Sequence, residues 1–151
     1  EASVIDPLSI NWSTVSASDF VYKLRQRPGE GNALGRIKFM FPNGFNVYLH
    51  DTPARGLFAR ETRAFSHGCV RVGDPIGLAE VILDREAGWD RARVLATIDS
   101  GERTIVPLAE HVPVHITYIT AWVNKDGTVH FRRDVYGRDR TLARALFGPQ
   151  T

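Results

Sequence analysis

The chain is 151 residues long, the size of one domain with room for a substantial core. Its 43% hydrophobic and 24% charged residues are ordinary for a globular protein, and no apolar run approaches the ~20 residues that would span a bilayer. Net charge is only +2, with Lys and Arg scattered apart from Arg132-Arg133 and Arg138-Asp139-Arg140, so there is neither a basic stripe nor a reading module for nucleic acid.

Residues 1–36 are rich in Ser, Pro, Gly and Asn, with turn signals at Pro28-Gly29 and Gly31-Asn32. They read as loop, with a short strand candidate at Phe20 to Leu24. No basic segment followed by an apolar stretch opens the sequence, so no leader is legible in it. Ile37 to Phe41 and Phe45 to Leu49 then predict two strands around Pro42-Asn43-Gly44, because Asn-Gly between apolar runs is a hairpin signal. His50 falls at the end of the second strand.

Residues 51–65 are charged and turn-rich and lead into Ser66-His67-Gly68-Cys69. Asp74 followed by Pro75 predicts a helix start, since Asp caps free N–H groups and Pro suits the first helical position. Ile76, Ala79, Val81, Ile82 and Leu83 supply its apolar face. Gly88 is a stop, and Asp90 caps a second helix through Val94, Leu95 and Ile98. Thr104 to Leu108 and Val112 to Val123 read as strands, the latter dense in β-branched and aromatic residues. Asn124 to Gly127 is a turn, Val129 to Arg133 a return strand, and a last helix runs from about Thr141 to Phe147, ended by Gly148-Pro149. The pattern is a mixed α+β, β-rich domain carrying a few helices.

There is one cysteine, Cys69, without an intrachain disulfide partner. It is therefore buried and inert, reactive, or available to another chain. A thiol is a useful nucleophile only as thiolate, which needs a base or an electropositive setting. His50 and His67 lie upstream and Arg71 just downstream. His67 is two residues from Cys69, a neighbour along the chain, whereas His50 comes from a separate strand and can approach the sulfur from across the fold. His50 is thus favoured as base. Gly68 permits a backbone conformation closed to other residues, which would expose the thiol and aim adjacent N–H groups at one point, as an oxyanion hole requires. Arg71 offers a planar fork for a carboxylate. These parts suit acyl transfer, although each has a plain structural alternative: a core Cys, a loop His, a solvated Arg. His111, His115 and His130 fall to structure or surface. One Cys without CxxC or HExxH gives no metal-ligand spacing, so no metal or other cofactor is expected.

His50, fifteen intervening residues, then Ser66-His67-Gly68-Cys69-Val70-Arg71 resembles the signature of the L,D-transpeptidases with a YkuD-type catalytic domain. The flanks Arg27-Pro28-Gly29, Asn32-Ala33-Leu34-Gly35, Lys38-Phe39 and Tyr48-Leu49-His50-Asp51-Thr52-Pro53 are similar to its YcbB-like branch. The resemblance spans roughly residues 6 to 136. It implies a β-rich, sandwich-like catalytic domain with a helix after the Cys motif. It implies a loop-rich lead-in over 1–36, an active-site segment over 37–72, and helices with a C-terminal hairpin over 73–151.

The same resemblance implies a chemistry. Cys69 attacks the third-residue carbonyl of a peptidoglycan tetrapeptide stem and expels the terminal D-Ala. The thioester then passes to an amine of an acceptor stem, making a cross-link between third residues. Water as acceptor gives L,D-carboxypeptidase activity, and a lipoprotein amine gives anchoring. His50 is the base, with the Asp51 carbonyl orienting its ring. Backbone N–H groups around Gly68 and Cys69 hold the oxyanion. Ser66, His67 and Arg71 shape the site or hold substrate, and Tyr48 lines it. Carbapenem β-lactams are expected to acylate Cys69. The thioester conserves the energy of the cleaved peptide bond, so no ATP is needed, which fits the periplasm or cell-wall face. YcbB-like domains carry further strands upstream of the segment matching residue 6, so the chain is expected to be the C-terminal portion of such a domain, with a sheet edge left uncovered. Two other classes remain: a wall-binding module that keeps the fold without activity, and a cysteine peptidase of another fold.

Overall fold

The computed structural model describes residues 4–148. Among them are five β-strands and three α-helices, an α+β arrangement with small sheets and few helices. Strand β1 (Lys38–Phe39) pairs antiparallel with β2 (Leu49–His50), and β2 pairs in parallel with β3 (Val70–Arg71), so β2 is the centre of a three-stranded sheet. A second, two-stranded sheet is the antiparallel hairpin of β4 (Ala121–Val123) and β5 (Val129–Phe131).

The β1–β2 hairpin forms where the sequence places it, but with shorter strands and a wider loop. The Asn43 side chain causes this. Its Oδ1 accepts from the N–H groups of Phe45 and Val47 at 3.0 and 3.1 Å, and its Nδ2 donates to the carbonyls of Phe41 and Val47. One side chain thus satisfies backbone groups that a ladder would otherwise pair.

The parallel β2–β3 pair is closed by a crossover holding a 3-10 turn at Arg55–Ala59. Helix α1 (Pro75–Leu83) begins after three residues that follow β3, as Asp74-Pro75 predicts, and the Asp74 carboxylate accepts from the Gly77 N–H at 2.9 Å. Helix α2 (Arg91–Asp99) starts the same way, with Asp90 accepting from the Arg93 N–H at 2.7 Å. Gly88 turns the chain between them at φ +76°. Ala79 of α1 and Val94 of α2 are each 4% exposed, and Pro75 at the start of α1 is buried with them.

Several strand expectations are not met. Phe20 to Leu24 and Thr104 to Leu108 are in no strand, and of Val112 to Val123 only Ala121–Val123 pairs. Each has the composition of a strand, but a strand is made by its partner, and these stretches have none among the described residues. The return strand ends at Phe131 rather than Arg133. Helix α3 (Arg138–Phe147) starts three residues before Thr141, because Gly137 turns the chain at φ +65° and Asp134 accepts from the Asp139 N–H at 2.8 Å. Its expected terminator Gly148 is its C-cap, while Pro149 lies outside the described residues.

Replacing Asp74 by Ala removes the cap that starts α1 directly behind β3. We expect a loss of about 1 kcal/mol in denaturant unfolding. An unchanged midpoint would show that the tertiary contacts of α1 hold it without the cap.

Candidate functional site

Parallel strands set directly opposed residues on the same face, and residues two apart along a strand share that face. Leu49 opposes Val70 and His50 opposes Arg71. The Val70 N–H donates to the Tyr48 carbonyl at 3.0 Å and the Val72 N–H to the His50 carbonyl at 2.8 Å, which extends the pairing at both ends. Tyr48, His50, Cys69 and Arg71 therefore lie together on one sheet face. Lys38 of β1 opposes His50 from the other side and joins them.

His50 is 4% exposed and its Nδ1 is against the backbone carbonyl of Asp51. A carbonyl only accepts, so Nδ1 carries the hydrogen and the other ring nitrogen, Nε2, keeps a lone pair able to take a proton. The Tyr48 ring meets the imidazole edge-on at 5.9 Å between centroids. Burial raises the Tyr48 phenol above its ordinary value, and the neighbouring Cys69 thiol pushes it the same way.

The carboxylate of Asp51 points away from this chemistry and anchors it. Asp51 is 2% exposed. One oxygen accepts from the Arg36 N–H at 2.9 Å and faces the Arg36 Nε at 3.5 Å, and the other takes the Arg55 guanidinium at 2.5 Å. Arg55 also donates to the Gly73 carbonyl at 2.5 Å, tying β2 to the chain that leaves β3. Burial pushes the Asp51 carboxyl up, but N–H donation from Arg36 and Thr52 and the charges of Arg55 and Arg36 outweigh it, so the group titrates below its ordinary value. Gly35, at φ +63°, leaves room for it: a Cβ there would fall 2.5 Å from the Asp51 side chain.

The approach to Cys69 is equally constrained. Gly68 has φ +136°, and a Cβ on it would fall 2.8 Å from Val47 Cγ1, so conformation and space both require glycine. Ser66 Oγ donates to the Cys69 carbonyl at 2.6 Å and accepts a longer bond, 3.3 Å, from the Gly68 N–H. The Cys69 N–H has no acceptor among the described residues. Cys69 itself is half-buried. Arg71 has a buried Nε without a hydrogen-bond partner among the described residues. A buried guanidinium donor left unpaired is costly. His67 is exposed and makes no hydrogen bond among the described residues.

This geometry is accompanied by sequence kinship. The family model for YkuD, the L,D-transpeptidase catalytic domain, matches residues 4–116. The chain belongs to that family. A candidate L,D-transpeptidase of Haemophilus influenzae is 42% identical over 142 residues, covering 94% of this chain. The chain spans 28% of the length of that relative.

Of the residues singled out from the sequence of this YkuD domain, the sheet gathers Tyr48, His50, Cys69 and Arg71, with Asp51, Ser66 and Gly68 supporting them through backbone contacts. His67 stays apart from the cluster's hydrogen bonds. Sequence reasoning missed Arg36 and Arg55 as partners of Asp51, and Lys38 as the neighbour of His50. The signal for Lys38 was available: once β1 and β2 form a hairpin, alternation places it on the His50 face. Nothing local marks Arg36, which reaches Asp51 from fifteen residues away, whereas Arg55 lies only four residues after Asp51.

Because the folded Asp51 titrates below its unfolded value, its contribution is complete above the unfolded value near ~3.9 and is lost as pH falls through the folded one. Asp51→Asn should therefore destabilise at pH 7 by about 2–3 kcal/mol, less than a fully buried pair because both guanidinium groups are partly exposed. The deficit should shrink below about pH 4. Paired urea melts at pH 7 and pH 3 check this, and a deficit independent of pH would remove the charge from the explanation.

Proposed function

We propose that the protein is a peptidoglycan L,D-transpeptidase acting through a Cys69 thioester. The observation that carries this reading is the shared face on which β2 and β3 set Tyr48 and His50 beside Cys69 and Arg71. The imidazole already holds the tautomer that a base requires.

In this mechanism the Cys69 thiol gives its proton to His50 Nε2, and the sulfur adds to the carbonyl carbon of the third stem residue. The carbonyl oxygen takes the negative charge, and its donors are the Cys69 N–H and the Gly68 N–H, the latter giving up its long 3.3 Å bond to Ser66. Collapse breaks the C–N bond, and the His50 imidazolium returns its proton to the departing D-Ala amine. An acceptor amine then attacks the thioester and loses a proton to His50, and the sulfur leaves as thiolate. The product joins two third residues. Arg71 holds a stem carboxylate with its guanidinium, Ser66 keeps the Cys69 loop in shape, and His67 lines the approach. Water in place of the amine trims the stem instead, and a lipoprotein amine anchors that protein. A carbapenem acylates the same sulfur.

A substrate of this kind lies on the periplasmic or cell-wall face of the envelope, and no helix of the described residues is long and apolar enough to cross a membrane. The flanks at 27–35 and 48–53 support the YcbB-like branch, with 37–72 as the active-site segment between a loop-rich lead-in and the helices. A non-catalytic wall-binding module is the reading this proposal displaces, since such a module has no use for an oriented imidazole beside a thiol.

Intact-mass spectrometry with a disaccharide-tetrapeptide should show an adduct equal to the stem minus D-Ala, with a dimeric product, and neither in Cys69→Ala. His50→Ala should slow acylation by about 10²-fold or more, and His67→Ala by only a few-fold. A folded protein that leaves the muropeptide unchanged would sink the proposal in favour of the binding module. Loss of acylation in His67→Ala with retention in His50→Ala would exchange the two roles.

A further inference from the structure

Lys38 stands at the site with no role in the reaction described so far. It opposes His50 in the β1–β2 register, while Arg71 opposes His50 from β3. One row across the sheet therefore reads Lys38, His50, Arg71, with a cation on each side of the imidazole. The Lys38 ammonium sits 3.5 Å from the centroid of the Tyr48 ring, on the residue that neighbours Cys69. It is exposed, and no carboxylate lies within ion-pair distance of it among the described residues. Arg71 likewise has its buried Nε unpaired.

The Arg71 Nε is buried without a partner among the described residues, and the exposed Lys38 ammonium has its donors available to a ligand that brings a matching charge. An ammonium resting on an aromatic face is held in place by the ring quadrupole but keeps its N–H donors on the other side free. The Tyr48 ring thus positions Lys38 without occupying its donors. A ligand lying across the row with its reacting carbonyl at Cys69 would meet Arg71 on one flank and Lys38 on the other. Such a ligand carries a carboxylate on each side of the scissile bond.

We infer that Lys38 is a specificity-determining residue that binds the terminal carboxylate of the departing D-amino acid, while Arg71 takes the carboxylate on the retained side of the stem. This rests on the transpeptidase reading and deepens it. It makes the enzyme selective for donors with a free C-terminus, because a terminal amide offers no charge to Lys38. Tyr48 then serves two neighbours: its ring holds Lys38, and the register sets it opposite Cys69.

The test uses two donors on the intact protein, one tetrapeptide with a free C-terminal carboxylate and the same peptide as its carboxamide. Thioester formation on Cys69 is followed by intact mass across donor concentration for wild type, Lys38→Met and Lys38→Arg. Wild type should favour the acid by about tenfold or more in kcat/KM, carried mainly by KM. Lys38→Met should bring the acid down to the amide and leave the amide unchanged, and Lys38→Arg should restore most of the preference. Equal falls for both donors would mean that Lys38 only supports Tyr48, and the inference would be wrong. A preference for the acid that survives in Lys38→Met overturns it too, as does a wild type without preference. Absence of any thioester in wild type, with Cys69 still alkylated by a neutral reagent such as iodoacetamide, would instead remove the transpeptidase reading, and this inference with it.

Discussion

A carboxylate shut away from water has to be matched, and the matching of Asp51 organises the rest of this structure. Two guanidinium groups and a backbone N–H converge on it from the chain before β1 and from the crossover after β2. Arg55 carries the connection on to Gly73, between β3 and α1. Segments around residues 36, 51–55 and 73 are thereby fixed around one side chain. A lone buried ion pair is weak evidence for stability, since desolvation offsets most of its attraction. Here the hydrogen bonds are spread over both oxygens, and that completeness makes the buried charge tolerable.

What Asp51 fixes is the residue before it. The peptide unit that places its side chain among the arginines also places its carbonyl against His50 Nδ1, so the anchor and the tautomer are two ends of one residue. From there the register does the rest. A shift of one residue between β2 and β3 would turn Cys69 and Arg71 to the opposite face from His50. The strands are only two residues long, too short to enforce the register by themselves. The Asp51–Arg55–Gly73 chain and the Val47–Gly68 packing supply that enforcement from outside the ladder.

The helix starts were legible because they are local: Asp74 and Asp90 cap the turns that follow them, and Pro75 and Gly88 punctuate as their backbone constraints dictate. The cluster was legible for another reason. His50, Gly68, Cys69 and Arg71 each carry a chemistry or a conformation with few uses, and their spacing resembled a known family. The β-patterned stretches over 20–24 and 104–120 were not, since a strand needs a partner and partners are chosen by the whole fold. Asn43 misled in a different way: read as half of a tight turn, it uses its side chain to build a wider loop. Arg36 was invisible because its partner is distant in sequence, whereas Arg55 lies only four residues from Asp51.

Burial in this chain is unusually polar where it matters. Pro75, Ala79 and Val94 are the buried apolar residues of the helix pair, whereas at the sheet the fully buried run is His50, Asp51 and Thr52. Apolar packing is tolerant, because residues of similar volume replace one another at modest cost. A polar centre is not tolerant: each donor and acceptor must find its partner at a set distance and angle, and a half-satisfied network is worse than none. Such a centre is poor economy for stability alone. It is well suited to holding an imidazole in one tautomer and one orientation beside a thiol. The constraint that stabilises the middle of the sheet is thus the same one that prepares its chemistry, and neither can be relaxed without the other.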